Sequence, residues 1–169
     1  MNWLFSRRST GPDGGALYAA VVSEARRADW YRQGGVPDTI DGRFAVLSTL
    51  LALLDIRLGK GDEAAKAVAP RVTERFIADM DVQMREAGFG DPGLGKQVRM
   101  MVGSLASKVE RWQNVIDRSA DWEAAVASSL YRDEPAGAEA VAAGSALVQG
   151  WWDRLGAAGD AEIAEGTIG

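Results

Sequence analysis

Apolar residues recur at intervals of three and four along most of the chain, a spacing that is typical of amphipathic helices. The pattern predicts helices at about 14–32, at about 41–58, from the turn at 59–62 to Ala87, and at about 92–117. Two shorter helices follow, one after a cap at Ser119 or Asp121 and one after Pro135. No stretch alternates strictly between apolar and polar residues, as a half-buried strand does. We therefore predict an all-α, single-domain bundle of about six helices without a sheet.

The second and fourth predicted helices differ in how much of their surface they bury. Residues 44–58 are apolar on most sides, so we expect the second helix at the centre of the core. The fourth has one clear stripe, from Val98 through Leu105 to Ile116. Its opposite face has little charge and several small residues, and it is either exposed to solvent or covered by another helix. That face consists of Lys96, Met100, Gly103, Ser107 and Asn114.

We predict a flexible segment at each end of a helical domain that spans 14–156. Apolar and basic residues near the N-terminus form either a frayed end or a weak interfacial contact. They are Trp3, Leu4, Phe5, Arg7 and Arg8 within the flexible segment 1–13. Residues 157–169 have too little apolar content for firm packing. Since residues 119–169 carry two basic and nine acidic side chains, we expect this tail to be acidic as well as flexible.

The amino-acid composition excludes several kinds of catalytic and binding site. His and Cys are absent, which excludes imidazole proton transfer, thiol nucleophiles, disulfides and the commonest zinc and haem ligands. The longest strongly apolar run, 44–54, is shorter than the roughly 20 residues that span a bilayer. The first residues lack the apolar region of a signal peptide. We therefore expect a protein that is not secreted, has no catalytic residues, and binds no metal and no cofactor.

A glycine-rich loop offers one alternative, a nucleotide-binding protein. Residues 88–93 match G-x-G-x-x-G, and residues 90–96 match G-x-x-x-x-G-K. Both fingerprints normally follow a strand, whereas here a predicted helix precedes the loop. A joint between two helices explains the residues better. In that joint Gly88 is the left-handed C-cap, Asp91 the next N-cap and Pro92 the first helical residue.

Asp79 and Asp81 suggest a metal site, because carboxylate oxygens are ligands that magnesium prefers. Residues two apart on a helix differ by roughly 200° in direction, so these two side chains point apart. Each has an arginine four residues away, Arg75 for Asp79 and Arg85 for Asp81. We therefore expect two exposed ion pairs here rather than a metal site.

Six tryptophans are more than a small helical core requires, and tryptophan is a frequent anchor at protein interfaces. Trp112 and Trp122 fit the apolar stripes of their helices. Trp30, Trp151 and Trp152 fit less easily, since adjacent residues on one helix cannot both face inward. An exposed tryptophan would mark a contact surface. A homo-oligomeric helical scaffold is therefore a second alternative.

Two motifs in the middle of the chain are distinctive. The first motif, residues 35–44, reads Gly-Val-Pro-Asp-Thr-Ile-Asp-Gly-Arg-Phe. The second motif, residues 79–91, reads Asp-Met-Asp-Val-Gln-Met-Arg-Glu-Ala-Gly-Phe-Gly-Asp and is followed by Lys96 and Met101. From about Leu17 to Trp112 the chain resembles the ubiquinol-cytochrome c chaperone family. The residues that the resemblance marks as a partner-binding surface are Gly35, Val36, Pro37, Asp38, Thr39, Gly42, Arg43, Phe44, Asp79, Asp81, Arg85, Gly88, Gly90, Asp91 and Lys96.

The resemblance implies a non-enzymatic assembly factor for the cytochrome bc1 complex. Its implied client is newly made cytochrome b, because mitochondrial relatives bind that protein and associate with the ribosome. A second assembly protein and the ribosome are further implied partners, and no DNA is expected. Since no mitochondrial presequence precedes the matching region, we expect a bacterial member. We expect it in the cytoplasm, with a peripheral contact on the cytoplasmic face of the inner membrane.

The two motifs also have a purely structural interpretation. The turn at 36–38 would set the angle between the first two helices, and Arg43 would pair with Asp79 or Asp81 to lock the second helix to the third. The chain departs from the family pattern in having no His in the second helix and in having Ala87 where a larger Met is usual. It also has Ser-Ser at 128–129 where Arg-Asn is expected, which leaves the C-terminal helices unmatched.

Overall fold

The computed structural model describes residues 13–132 and 135–169, and within them the chain forms helices joined by short turns, without a strand. The helices are α1 Gly15–Ala25, α2 Asp29–Arg32, α3 Ile40–Gly59, α4 Glu63–Glu86, α5 Asp91–Arg118, α6 Trp122–Leu130, α7 Ala138–Ala157 and α8 Asp160–Ala164. Six of these have nine or more residues. The predicted all-α bundle of about six helices is therefore confirmed.

The first predicted helix is broken into α1 and α2. The indole of Trp30 donates a hydrogen bond to the carbonyl of Glu24 at 2.9 Å, and the hydroxyl of Tyr31 donates to the carbonyl of Ala25 at 2.8 Å. These carbonyls belong to the last turn of α1, beyond the reach of its own amides, and that of Glu24 also accepts from the amide of Arg27 at 3.1 Å. Two aromatic side chains thus end α1 and reverse the chain, which the helical spacing of 14–32 does not reveal.

α3 lies at the centre of the bundle and contacts α1, α4, α5, α6 and α7. All residues from Val46 to Leu54 are buried, as expected for a helix that is apolar on most sides. Its N-cap is Thr39, whose hydroxyl accepts a hydrogen bond from the amide of Gly42 at 3.1 Å. The short turns before and after α4 make α3, α4 and α5 antiparallel neighbours. The start of α3, the end of α4 and the start of α5 therefore lie at the same end of the molecule.

The C-terminal residues are packed, which corrects the expectation of a flexible acidic tail over 157–169. In α8, Ile163 is fully buried, and Asp160 pairs with Arg57 of α3 at 2.7 Å. The same guanidinium donates to the carbonyls of Leu155 and Ala158. One isoleucine and one ion pair thus hold the segment despite its low apolar content. The predicted flexible N-terminus lies outside the described residues except for Asp13, which pairs with an arginine of α4.

None of the five described tryptophans is exposed. Trp30, Trp112 and Trp151 are buried, and the indole of Trp151 donates to the carbonyl of Leu50 at 3.2 Å. Trp122 meets Trp112 edge to face, with ring centroids 4.8 Å apart, and Trp152 is half-buried. The tryptophans therefore serve the fold of this chain itself, and they give no support to the homo-oligomeric scaffold.

Candidate functional site

The first motif forms the turn that leads from α2 into α3, and its backbone is tightly held. Gly35 adopts a positive φ of 62°, and the amide of the buried Val36 donates to the carbonyl of Trp30 at 3.1 Å. A Cβ on Gly42 would lie 1.9 Å from the carbonyl oxygen of Pro37. Only glycine lets α3 approach the turn so closely. These residues of the motif are structural, in agreement with the interpretation that the turn fixes the angle between helices.

Two of the three charged residues of the first motif, Asp38 and Arg43, pair with each other. The guanidinium of Arg43 donates to Asp38 at 2.7 Å, and both side chains are largely exposed. The predicted pair between Arg43 and Asp79 or Asp81 is therefore wrong. Asp38 lies in the turn just before α3, five residues from Arg43, so it reaches the guanidinium without a contact between helices.

In the second motif the two aspartates face different partners. Asp79 accepts a hydrogen bond from the hydroxyl of Tyr18 in α1 at 2.6 Å. The predicted ion pair between Asp79 and Arg75 is therefore wrong. Arg75 pairs instead with Asp13. Burial, and then the hydrogen bond to Asp79, raise the pKa of Tyr18, so its phenol remains protonated and continues to donate. This bond joins α1 to α4 beside the first motif.

Asp81 points away from Asp79, as the helical rotation requires. It accepts a hydrogen bond from Arg85 at 2.9 Å, which confirms the predicted pair. Arg85 also donates to Asp91 at 2.9 Å, across the turn between α4 and α5. Among the described residues, no group of three or more acidic side chains is placed to hold a metal ion.

The glycine-rich loop joins α4 to α5, as the helix-joint interpretation predicts. Gly88 adopts a φ of 90°, the left-handed conformation that follows a helix end. The N-cap of α5 is Gly90, so Asp91 and Pro92 both lie one position further into the helix than expected. Because a helix rather than a strand leads into the loop, the arrangement differs from both nucleotide-binding fingerprints. Lys96 is exposed on α5.

Residues of both motifs meet in one groove, which we call the motif groove. It has a volume of about 790 Å³ and lies between α1, α2, α3, α4 and α5. Asp38, Ile40, Arg43 and Phe44 come from the first motif, and Asp79, Met80, Gln83 and Met84 come from the second. The lining residues from outside the motifs are Val22, Ala25, Arg26, Ala28, Tyr31, Arg32, Leu47 and Met101.

The other candidate residues lie behind or beside the groove rather than in it. Gly35, Val36, Pro37, Thr39 and Gly42 shape the turn and the start of α3. The remaining six candidates lie along the end of α4 and the start of α5, outside the groove lining. They are Asp81, Arg85, Gly88, Gly90, Asp91 and Lys96.

The motif groove has an apolar, adaptable floor. Met80, Met84 and Met101 line it, and methionine side chains adjust to irregular apolar partners more readily than branched ones. Phe44 forms one wall and packs against Phe76, with ring centroids 6.2 Å apart. Met80 and Met84 are buried, and Met101 is half-buried. Their role as a groove floor becomes visible only when three helices are brought together.

The most exposed large apolar side chains of the described chain lie at the same end of the molecule as the motif groove. Ile40 is 68% exposed at the start of α3, and Val82 is 52% exposed near the end of α4. Phe89 is 41% exposed in the turn that follows, and Met100 is 59% exposed in the first half of α5. The outer face of α5, which the sequence left open, is exposed at Lys96, Met100, Gly103, Ser107 and Asn114. Apolar side chains gathered at one end indicate a contact surface.

No helix of the described residues has the length and apolar character that crossing a membrane requires. The rim of the motif groove carries two arginines, Arg26 and Arg32, both exposed. The site thus combines an apolar floor with a polar, partly basic rim, an arrangement that fits a protein partner better than it fits a reaction centre.

Comparisons with known proteins agree with the two motifs. The family model of the ubiquinol-cytochrome C chaperone matches residues 32–168, which includes both motifs and the C-terminal helices that the sequence left unmatched. The crystal structure of the Cbp3 homolog from Brucella abortus is similar, with a TM-score of 0.79 and 28% identity. The alignment covers 98% of this chain and 93% of that chain. No curated protein matches in sequence. The chain therefore belongs to the ubiquinol-cytochrome c chaperone family.

Proposed function

We propose that this chain is a non-enzymatic chaperone in the assembly of the cytochrome bc1 complex and that it holds newly made cytochrome b in the motif groove. Membership of the chaperone family supports the assembly role. The observation that carries the groove assignment is that Asp38, Arg43, Phe44 and Asp79, from two motifs far apart in sequence, meet in one groove with an apolar floor.

The chemistry of the groove suits an apolar client. Cytochrome b is a membrane protein, so before insertion its helices expose apolar faces that favour burial against other apolar surface. Met80, Met84 and Met101 offer such a surface without a fixed shape. The charges nearest the groove are already engaged, since Arg43 pairs with Asp38 and Asp79 accepts from Tyr18. Burial of the groove therefore leaves few unpaired charges at its centre.

The assembly role is tested by deletion in a respiring bacterium. We expect the bc1 complex to fall while other respiratory complexes keep their levels, and we expect pull-down of the chain to enrich cytochrome b. Unchanged bc1 levels would contradict the assembly role. The same purification tests for a second assembly protein and for ribosomes, which we propose as further partners.

The groove assignment is tested separately with Ile40→Asp. Ile40 is exposed at the first position of α3, where an acidic residue is compatible with the helix dipole, so the fold should persist. Full burial of this side chain against a client is worth about 1.5–3 kcal/mol. We therefore expect cytochrome b capture to fall at least about fivefold.

Two variants control for this experiment. Ile40→Leu keeps the apolar surface and should capture cytochrome b as the original chain does. Ala142→Asp introduces the same charge at an exposed position of α7, outside the groove lining, and should also have no effect. If Ile40→Asp captures as much cytochrome b as Ala142→Asp does, the motif groove is not the binding site.

We further propose that the protein works at the cytoplasmic face of the inner membrane, held there peripherally. The client would bring it to this surface, and Arg26 and Arg32 at the groove rim would favour anionic lipid headgroups. Membrane fractions should release the protein on washing with high salt, because such contacts are screened. Retention after the salt wash would argue for a different form of attachment.

A further inference from the structure

A second concavity lies between α3, α4 and α5 and shares no lining residue with the motif groove. We call it the α3–α4–α5 cleft. It has a volume of about 280 Å³, and its lining is apolar apart from Asp55 and Thr73. The apolar lining consists of Leu51, Leu54, Leu58, Ala69, Val72, Val102, Leu105, Ala106 and Val109.

Asp55 is the charged residue of this cleft. It is half-buried on α3 between turns whose other residues belong to the core. Thr73 directs its hydroxyl to the carbonyl of Ala69 at 3.3 Å, and no hydrogen bond from a described residue reaches the carboxylate. Burial raises the pKa of Asp55, and no cation among the described residues lowers it. The carboxylate therefore lies in apolar surroundings without a described donor.

Partial burial of an ionised carboxylate is unfavourable unless something donates to it, because burial removes part of its hydration without replacing those hydrogen bonds. A bound cation with an apolar body would donate a hydrogen bond to the carboxylate. Its hydrocarbon part would be buried against the leucines and valines of the lining. We propose that the α3–α4–α5 cleft binds a small amphipathic ammonium compound, with its ammonium group on Asp55 and its hydrocarbon chain against the apolar lining.

The volume of the cleft and the negative charge of Asp55 limit the class of ligand that can bind. A volume of 280 Å³ holds about nine groups the size of water, each taking about 30 Å³ of liquid volume. This suits a chain of about eight carbons and an amine, whereas a protein helix with a diameter of about 10 Å does not fit. An anionic head would be repelled by Asp55. A hydroxyl head would bind more weakly, because hydrogen bonds between charged groups are stronger than neutral ones.

Calorimetric titration with octylammonium, octanol and octanoate, all below their micellar concentrations, tests the proposal on the full chain. We expect octylammonium to bind at least about tenfold more tightly than octanol, and octanoate not to bind. In Asp55→Asn the preference for octylammonium over octanol should disappear. Asp41→Asn makes the same change at an exposed position of α3 and should leave the preference intact.

The pH dependence adds a second readout. No other titratable side chain lines the cleft, and an alkylammonium stays charged up to about pH 10. Affinity for octylammonium should therefore rise as the pH passes through the raised pKa of Asp55 and then stay level. Asp55→Asn should show no such rise. Equal binding of octylammonium and octanol, binding that Asp55→Asn leaves unchanged, or no binding at all would each overturn the proposal.

Discussion

Lys108 offers the sharpest test of how the bundle is held together. It is 8% exposed on α5, and its ammonium donates to the hydroxyl of Ser48 at 2.7 Å and to the carbonyl of Ala45 at 3.0 Å in α3. It also donates to the carbonyl of Ser129 at 3.1 Å, in the last turn of α6. One side chain thus connects three helices. Lys108→Met removes the ammonium and keeps most of the apolar stem.

The loss of stability in Lys108→Met depends on which hydrogen bonds each acceptor keeps. Ser48 still donates to the carbonyl of Phe44 at 2.7 Å, so its hydroxyl is not left without a partner. The carbonyl of Ser129 is among the last four of α6, where no intrahelical amide reaches it. Leaving it buried and unpaired costs about 1–3 kcal/mol, and a cation at a helix C-terminus is worth up to about 2 kcal/mol more. Relief of the ammonium's own desolvation offsets part of this loss.

We therefore expect Lys108→Met to lower the free energy of unfolding by about 2–3 kcal/mol, a large fraction of the roughly 5–15 kcal/mol of a typical domain. Urea denaturation followed by tryptophan fluorescence measures it. Lys66→Met is the matched control, because Lys66 is exposed and, within the described chain, pairs only with the exposed Glu63, so its removal should change stability by about 0.5 kcal/mol or less. A loss for Lys108→Met no greater than that of the control would refute this account.

Two further predictions concern the first motif and the C-terminal helix. Gly42→Ala places a Cβ where the carbonyl oxygen of Pro37 lies, so urea denaturation should show a loss of about 2–3 kcal/mol, whereas Gly103→Ala, in open space on α5, should be neutral or stabilising. The pKa of Asp160 is held below its ordinary value of 3.8 by the amide of Asp62 and then by Arg57. Its stabilising contribution is therefore complete above about pH 4 and is lost as the pH falls through the lowered pKa. Asp160→Asn should be less stable than the original at pH 7, and the gap should close in acid; a constant gap would contradict the assignment.

The site was only partly predictable from the sequence. The two motifs identified the family, because their residues are distinctive in themselves, and four of the candidate residues taken from them line the motif groove. Helical geometry correctly separated Asp79 from Asp81 and paired Asp81 with Arg85. The partner of Asp79, however, is Tyr18, which lies 61 positions away. No local spacing rule connects residues so far apart, so the predicted pair with Arg75 failed.

The interior polar and packing contacts were missed for the same reason. The periodicity of α5 marked an apolar stripe and did not mark Lys108, which lies within that buried side. The low apolar content of 157–169 predicted a flexible tail, yet Ile163 is fully buried and Asp160 finds Arg57 about a hundred positions earlier. Average composition describes a segment, whereas packing depends on whether one suitable side chain meets one suitable cavity.

The sequence by itself determined the fold class, the helices that form the bundle and the central position of α3. These features depend on the spacing of apolar residues and on glycine, threonine and aspartate at helix ends, which act within a few residues of each other. Only the tertiary structure decided the pairing of Tyr18 with Asp79, the meeting of both motifs in one groove and the lack of a described donor for Asp55. Such features depend on the angles between helices, which arise from packing between distant parts of the chain.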